Sequence, residues 1–126
     1  MSMETELVDL LVADATIDET VDGRIYPVAL RQVTTFPAIT YGRAAGGARE
    51  YALDASVTHI TVLMFVRCWA ETYPAARTLA DLCAAALDRS TTAQVDVITV
   101  RDGPDDWLDG ADVFGCSLEV QMEQMP

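Results

Sequence analysis

Lysine is missing from this chain of 126 residues, and basic residues of any kind are few. All eight basic side chains are arginine, against 20 aspartates and glutamates, which gives a formal charge of −12. Affinity for a nucleic-acid backbone comes largely from neutralising its phosphates with Lys and Arg. The composition therefore argues against a protein that grips DNA or RNA. An arginine-only set is typical of a GC-rich coding bias, and it also suits forked guanidinium–carboxylate pairs between subunits.

Cysteine, histidine and long apolar runs are scarce as well. Cys68, Cys83 and Cys116 form an odd set without the CxxC spacing of a zinc or redox site, so we interpret them as reduced core residues of an intracellular protein. His59, the one histidine, has no nucleophile elbow or metal-ligand pattern beside it. The apolar run from Val62 to Val66 is far too short to cross a membrane. We expect a soluble chain with no catalytic site, no cofactor and no metal.

The segment from His59 to Asp88 carries the most information, because its pattern is that of a long strand running into an amphipathic helix. One face of the strand is wholly apolar and consists of Ile60, Val62, Met64, Val66 and Cys68. The other face is half polar and consists of His59, Thr61, Leu63, Phe65, Arg67 and Trp69. The first face is predicted to be core. The second is either covered within the subunit or meets a neighbouring molecule, and the residues alone leave both possibilities open.

The helix that follows has clear start signals. Pro74 suits a first helical turn, where its missing amide proton costs nothing, and Thr72 or Tyr73 would hold the capping position. Arg77 and Asp81 lie four residues apart on the polar side. The spacing predicts one apolar stripe, formed by Ala76, Leu79, Ala80, Cys83 and Leu87.

The remaining elements predict an α+β fold with a mainly antiparallel sheet packed against one or two helices. A first helix is expected from Met3 to Ala13, and Asp22-Gly23 is a turn signal. The expected order is α-β-β-β-β-α-β-β in a single domain over residues 1–126, and the glycine-rich stretch from Gly42 is expected to be a loop until about Ser56. Besides the central strand, the predicted strands are Arg24–Tyr26, Val28–Val33, Phe36–Arg43, Val95–Arg101 and the strictly alternating Val113–Glu123.

Two loops invite a chemical interpretation. Five aspartates between Asp102 and Asp112 suggest a bound metal ion, but Pro104 and Trp107 occupy positions where an EF-hand needs a ligand and a glycine, so a solvated hairpin connection is favoured. Trp107 itself suits either a contact surface or the core. The stretch from Gly42 to Arg49 lacks the Gly-Lys-Ser/Thr of a phosphate-binding loop.

Several local motifs, in their order and spacing over about four fifths of the chain, resemble the tail completion (tail terminator) proteins of long-tailed bacteriophages, which also occur in prophages and gene transfer agents. None of these motifs is a catalytic signature. The motifs are Gly23-Arg-Ile-Tyr-Pro27, Phe36-Pro-Ala-Ile-Thr-Tyr-Gly-Arg43, Arg49-Glu-Tyr-Ala-Leu-Asp54, the junction from Cys68 through Asp81, and the last alternating strand.

The resemblance implies a structural virion protein, assembled in the host cytoplasm, that forms a ring of six copies on top of the tail tube. Such a ring stops polymerisation of the tube and offers a joining surface to the head connector. Its partners would be other copies of itself, the tail tube protein and the connector, while genomic DNA slides through an acidic lumen without specific binding and no membrane is involved. The excess of acidic residues suits such a lumen, and it suits solubility alone equally well. The residues expected at contacts are Arg43, Arg49, Tyr51, Arg67, Trp69 and Trp107.

Of the two possibilities for the second face of the central strand, the resemblance favours contact with a neighbouring subunit over cover within the same subunit. A connector ring of the phage neck is the nearest alternative function. A small acidic module that imitates DNA is another, although it would need its carboxylates in rows on one face. A metal-dependent enzyme that uses the Asp102–Asp112 cluster is the third.

Overall fold

The computed structural model describes residues 3–28, 35–44, 48–51, 57–88, 90, 95–108 and 112–124. Three helices and six strands make up this part of the chain, and the strands form a single sheet. In chain order the elements are α1 Met3–Ala13, α2 Ala15–Val21, β1 Ile25–Pro27, β2 Ala38–Arg43, β3 Ala48–Tyr51, β4 Val57–Ala70, α3 Tyr73–Leu87, β5 Val97–Leu108 and β6 Val113–Gln124. The predicted α+β class is confirmed.

The sheet is organised around β4. Its strands lie in the order β1-β2-β4-β6-β5, with β3 also paired to β4, and every pairing except β1 with β2 is antiparallel. Because β6 pairs with β4 from Ile60 to Ala70, β2 and β3 share the other side of β4. β2 pairs with the second half of β4 and β3 pairs with the first half. β3 therefore continues the position of β2 along the same side of β4. The two outer positions of the sheet are therefore β5 on one side and β1 with β3 on the other.

Short polar segments set the helix boundaries. Asp14 ends α1 and caps α2, since its carboxylate accepts hydrogen bonds from the backbone N–H groups of Thr16 and Ile17 at 3.0 and 3.1 Å. Asp22 and Gly23 then take positive φ values of 48° and 75°, which confirms the predicted turn. The sequence prediction missed α2, whose seven residues follow α1 after one residue.

Helix α3 begins where its start signals predict. The Thr72 hydroxyl accepts from the Ala75 N–H at 3.3 Å, Pro74 lies in the first turn, and Asp88 follows the last helical residue. All five residues of the predicted apolar stripe are buried. The ion pair between Arg77 and Asp81 is present at 3.5 Å.

One core joins the helices to one face of the sheet. Its strand members alternate along β4 and β6, as predicted, because side chains two residues apart point to the same face. The core residues of these two strands are Val62, Met64, Val66, Cys68, Ala70, Cys116, Leu118, Val120 and Met122. Leu7, Leu11, Ile17 and Val21 of α1 and α2 complete this core from the helical side.

Parts of two predicted loops are strands in the structure, because pairing with distant segments overrides local composition. The predicted loop from Gly42 to Ser56 contains β3, which pairs with the start of β4. The predicted hairpin connection from Asp102 to Asp112 is wrong as far as Leu108, since β5 continues along β6. Gly103 and Pro104, which indicated a turn, coincide with a register shift between Asp102 and Asp105. Of the predicted strand Val28–Val33, only Val28 lies within the described residues, and it is not in a strand.

Candidate functional site: the open face of the sheet and the end of β5

The face of the sheet opposite the helices is the half-polar face of β4. We call it the open face and define it by Leu63, Phe65, Arg67 and Trp69 with their cross-strand neighbours on β2, β6 and β5. None of these four residues belongs to the core that the helices cover. Strand alternation places them there, since each lies between two core residues of β4. These four residues therefore lie outside the helix-covered core, and the arrangement of their side chains determines how much of the open face meets water.

Trp69 is enclosed by its own subunit. The residue is only 7 % exposed, and its indole N–H donates to the Thr40 hydroxyl on β2 at 3.1 Å. On the other side the ring lies close against β6, because a Cβ added at Gly115 would come within 2.8 Å of it. Gly115 is thus required for room, not for flexibility. Trp69 supports the open face from within and leaves little of itself for contact with a partner.

Phe65 occupies the corresponding space beside β2. A Cβ added at Gly42 would meet the Phe65 ring at 2.7 Å, and Val28 lies beside the same point at 3.5 Å. In contrast to Trp69, the Phe65 side chain is only half-buried, as is Leu63. The two glycines on neighbouring strands therefore receive the two aromatic rings of β4. Part of the apolar surplus is covered in this way, and the part around Leu63 and Phe65 is still accessible.

Arg67 ties the open face together between the two aromatic rings. Its guanidinium carbon lies 4.9 Å from the centroid of the Phe65 ring, a cation–π distance. Its Nε donates to the Ser117 hydroxyl at 3.3 Å and lies 4.0 Å from an Asp106 carboxylate oxygen. One side chain thus reaches from β4 across β6 to β5. These three contacts orient the Arg67 side chain along the open face.

Beside Leu63 the open face has a shallow pocket of about 180 Å³. Arg101 and Glu119 line it and form an exposed ion pair at 3.4 Å. The mixture of an apolar floor and a charged rim is typical of a protein contact surface.

A second exposed group lies where α3 begins and β5 ends. Trp107 is 56 % exposed, and its cross-strand partner on β6 is Phe114. The Phe114 ring packs edge-on against Tyr73 with a centroid distance of 6.3 Å. The Tyr73 hydroxyl donates to Asp105 at 2.7 Å, and this hydrogen bond raises the pKa of Tyr73. We call the surface formed by Tyr73, Asp102, Asp105, Trp107 and Phe114 the acidic aromatic end.

The carboxylates of the acidic aromatic end share one arginine of α3. Arg77 lies 3.5 Å from Asp81, 3.5 Å from Asp102 and 3.7 Å from Asp105. The charge of this surface is therefore negative, and the exposed indole of Trp107 lies next to it.

The other expected contact residues lie at the opposite side of the sheet. Arg43 is the last residue of β2 and forms a bidentate ion pair with Glu4 of α1. Arg49 and Tyr51 lie on β3, and their side chains fall outside the described residues. The six expected contact residues are thus distributed over three places: Arg67 and Trp69 on the open face, Trp107 at the acidic aromatic end, and the other three on β2 and β3.

The sequence prediction did not single out Phe65, Tyr73 or Asp105 as site residues. A signal for Phe65 was present, because an isolated glycine inside a strand pattern, such as Gly42, marks a close approach by another group. Asp105 had no comparable signal, since its segment was interpreted as a loop.

Metal and thiol chemistry find little support in the described part of the chain. No three His, Cys, Asp or Glu side chains within it come together so as to hold a metal ion. Cys68, Cys83 and Cys116 are free and buried, and Cys68 approaches Cys83 with a sulfur–sulfur distance of 3.7 Å. Burial raises the pKa of Cys116 to about 11, so its nucleophilic thiolate is scarce at neutral pH.

Among the described helices, none combines the length and the apolar character that a membrane span requires.

The described residues thus form a small α+β fold with an exposed tryptophan, Trp107, and exposed charged groups such as the Arg101–Glu119 pair. The sequence matches the family described as Tail completion protein gp17 over residues 5–121. The chain therefore belongs to this family, one of structural proteins of phage tails.

The fold has a solved counterpart. It is similar to a chain from the "Virion of native gene transfer agent (GTA) particle", with a TM-score of 0.80 and 11 % sequence identity, over 99 % of this chain and 96 % of that chain. Comparison with curated protein sequences gives no match.

The two glycines under the aromatic rings give a matched pair of predictions. Gly115→Ala should cost about 1–3 kcal/mol of unfolding free energy, because Trp69 is enclosed and hydrogen-bonded and cannot move aside. Gly42→Ala should cost less than about 1 kcal/mol, since the Phe65 ring, which is only half-buried, can tilt outwards and an alanine restricts the unfolded chain. Urea unfolding of the two variants measures the difference. Equal losses, or a larger loss at Gly42, would contradict the assignment of Trp69 as the fixed ring.

Proposed function

We propose that this protein is the terminator ring of a phage-type tail. Identical copies close into a ring of six, sit on the end of the tail tube, stop its polymerisation and present the opposite side to the head connector. The family match over residues 5–121 is the observation that carries this proposal. The similarity in fold to a chain of a gene transfer agent virion supports a place in the virion.

Physical features of the subunit fit such a ring. Copies in a ring make head-to-tail contacts whose rotation closes, and a stable contact buries roughly 800 Å² on each partner. Leu63, Phe65 and Trp107 supply accessible apolar surface, and Arg67 supplies an oriented charge. With Arg43, Arg49 and Tyr51 they make up the proposed contact residues, while Trp69 acts by supporting the open face.

The charge of −12 suits a conduit for DNA. An acidic wall repels the phosphate backbone, so the genome can pass without being held. The ring would act by surface complementarity alone: it covers the surface to which the next tube subunit would otherwise add.

Tube growth in vitro tests this function. Purified chain added to polymerising tail tube protein of the same particle should halt elongation and leave ring-shaped density at one end of each tube in negative-stain images. Asp18→Ala, an exposed change on α2, is the control and should cap as well as the unaltered chain. Tubes that grow at an unchanged rate with an excess of chain over tube ends would refute the proposal.

A further inference from the structure

We propose that Cys68 and Cys83 form a site of oxidative modification, at which hydrogen peroxide closes a disulfide between strand β4 and helix α3. The site belongs to the single subunit and does not depend on the proposed ring. The proposed place in a virion explains when the bond would form, because a particle outside the cell has left the systems that keep cytosolic thiols reduced.

The two sulfur atoms are already in contact. Cys68 Sγ lies 3.7 Å from Cys83 Sγ, and both residues are completely buried. A disulfide has a sulfur–sulfur distance of about 2.05 Å, so the two atoms have to come closer by about 1.7 Å. Rotation of the two side chains about their Cα–Cβ bonds moves the sulfur atoms over distances of this size.

The surroundings of the pair allow this approach. In the turns before Cys83, helix α3 buries two small side chains, Ala76 and Ala80. Only residues 71 and 72 connect β4 to α3, and Cys68 lies close to the end of β4. The short connection holds the start of the helix beside the strand, so the two thiols stay near each other as long as the fold is intact.

The hydrogen bond between the thiols sets the order in which they react. Cys68 donates its S–H to Cys83 Sγ. This hydrogen bond and burial raise the pKa of Cys68, so Cys68 keeps its proton and Cys83 is the first nucleophile. The Cys83 thiolate attacks one oxygen of hydrogen peroxide, the O–O bond breaks, and the departing hydroxide takes up a proton to become water. Cys83 is left as a sulfenic acid.

The second step closes the bond. Cys68 loses its proton and attacks the sulfur of the Cys83 sulfenic acid, the S–O bond breaks, and the departing hydroxide leaves as water with that proton. In total, two thiols are oxidised to one disulfide while one molecule of peroxide is reduced to two molecules of water. Burial makes the reaction slow, because it disfavours the attacking thiolate, and it also shields the finished bond from reductants.

Cys116 is the natural comparison, because it lies directly opposite Cys68 in the pairing of β4 with β6 and is also buried. Opposite residues of an antiparallel pair have Cβ atoms about 4.5–5.5 Å apart, whereas a disulfide requires about 3.5–4.5 Å. The hydrogen bonds of the sheet maintain this wider spacing. Cys116 is therefore expected to remain a thiol.

Oxidation of the purified chain tests the site. The folded protein is incubated with an excess of hydrogen peroxide, the remaining thiols are alkylated, and the unreduced protein is digested with trypsin. Cleavage after arginine places the three cysteines in separate peptides, which are residues 68–77, 78–89 and 102–126. We expect mass spectrometry to find the first two peptides joined by a disulfide and the third alkylated. Cys116→Ala should form the same bond, and Cys83→Ala should form none.

The bond should also stabilise the fold. It joins positions 15 residues apart, and closing a loop of this length restricts the unfolded chain. We expect the oxidised chain to have a Tm about 5–10 °C above that of the reduced chain. A reductant should remove the difference. Cys83→Ala, treated with peroxide in the same way, should show no rise and controls for oxidation of methionine.

The outcomes separate this inference from the proposed function. Three free thiols after prolonged exposure of the unaltered chain to peroxide would overturn the inference, and so would a disulfide that includes Cys116 or links two chains. A bond between Cys68 and Cys83 without a rise in Tm would contradict its action as a link between β4 and α3. These results leave the ring untouched, and a chain that fails to cap tubes can still close the bond.

Discussion

Replacing Trp69 with alanine should remove about 3–5 kcal/mol of unfolding free energy, a large part of the total for a domain of this size. Trp69 is only 7 % exposed although it does not belong to the core that the helices cover. Its ring spans β2, β4 and β6 by resting on Gly115 and donating to Thr40. Alanine would therefore leave a cavity between three strands and an unused hydroxyl in it. Urea unfolding followed by circular dichroism measures the loss.

A conservative variant separates the ring from its hydrogen bond. Trp69→Phe keeps an aromatic ring over Gly115 and loses the N–H donor, so it should cost only about 1–2 kcal/mol. If Trp69→Ala unfolds at the same urea concentration as the unaltered chain, the ring does not hold the open face together. The accessible apolar surface would then be larger than the structure indicates.

Replacing Leu118 with alanine should cost about 2–5 kcal/mol, because the side chain is completely buried in the core between β6 and the helices. It pairs with Val66 on β4 and lies opposite Asp102 on β5, so the cavity would open in the middle of the sheet. Thermal or urea unfolding of the variant gives the value.

The next residue along β6 is the matched control. Glu119 points to the open face, where it pairs with Arg101 at 3.4 Å in an exposed ion pair. Glu119→Ala should change the unfolding free energy by less than about 0.5 kcal/mol, since exposed pairs contribute little. A similar cost at both positions would mean that the alternation of β6 does not separate a core face from an open face.

Local sequence patterns were sufficient for the elements that bury one face or one stripe. The core face of β4, the stripe of α3 and the Thr72 cap are all encoded within a few residues, because strand alternation, helical spacing and capping are local effects. β3 and the second half of β5 were not predicted, since their strand conformation comes from pairing with β4 and β6. In β5 the Gly103-Pro104 dipeptide indicated a turn, and in the structure it coincides with an irregularity of the strand.

The second face of β4 shows the limit of sequence reasoning more sharply. The pattern correctly placed Leu63, Phe65 and Trp69 on the strand face opposite the helix-covered core. It did not indicate that Trp69 would be enclosed and Phe65 only half-buried. That difference depends on Gly115, Gly42 and Thr40, which reach β4 only through the pairing of distant strands. The acidic aromatic end is similar, because Tyr73, Asp105 and Trp107 meet only once α3 and β5 are placed on the same sheet.

The mass of the purified chain in solution tests the central claim most directly. Native mass spectrometry over a range of concentrations, alone and with tail tube protein, should give a closed species of about six times the 13.7 kDa of one chain. A single species of 13.7 kDa under all of these conditions would contradict the claim that copies of this protein form a ring.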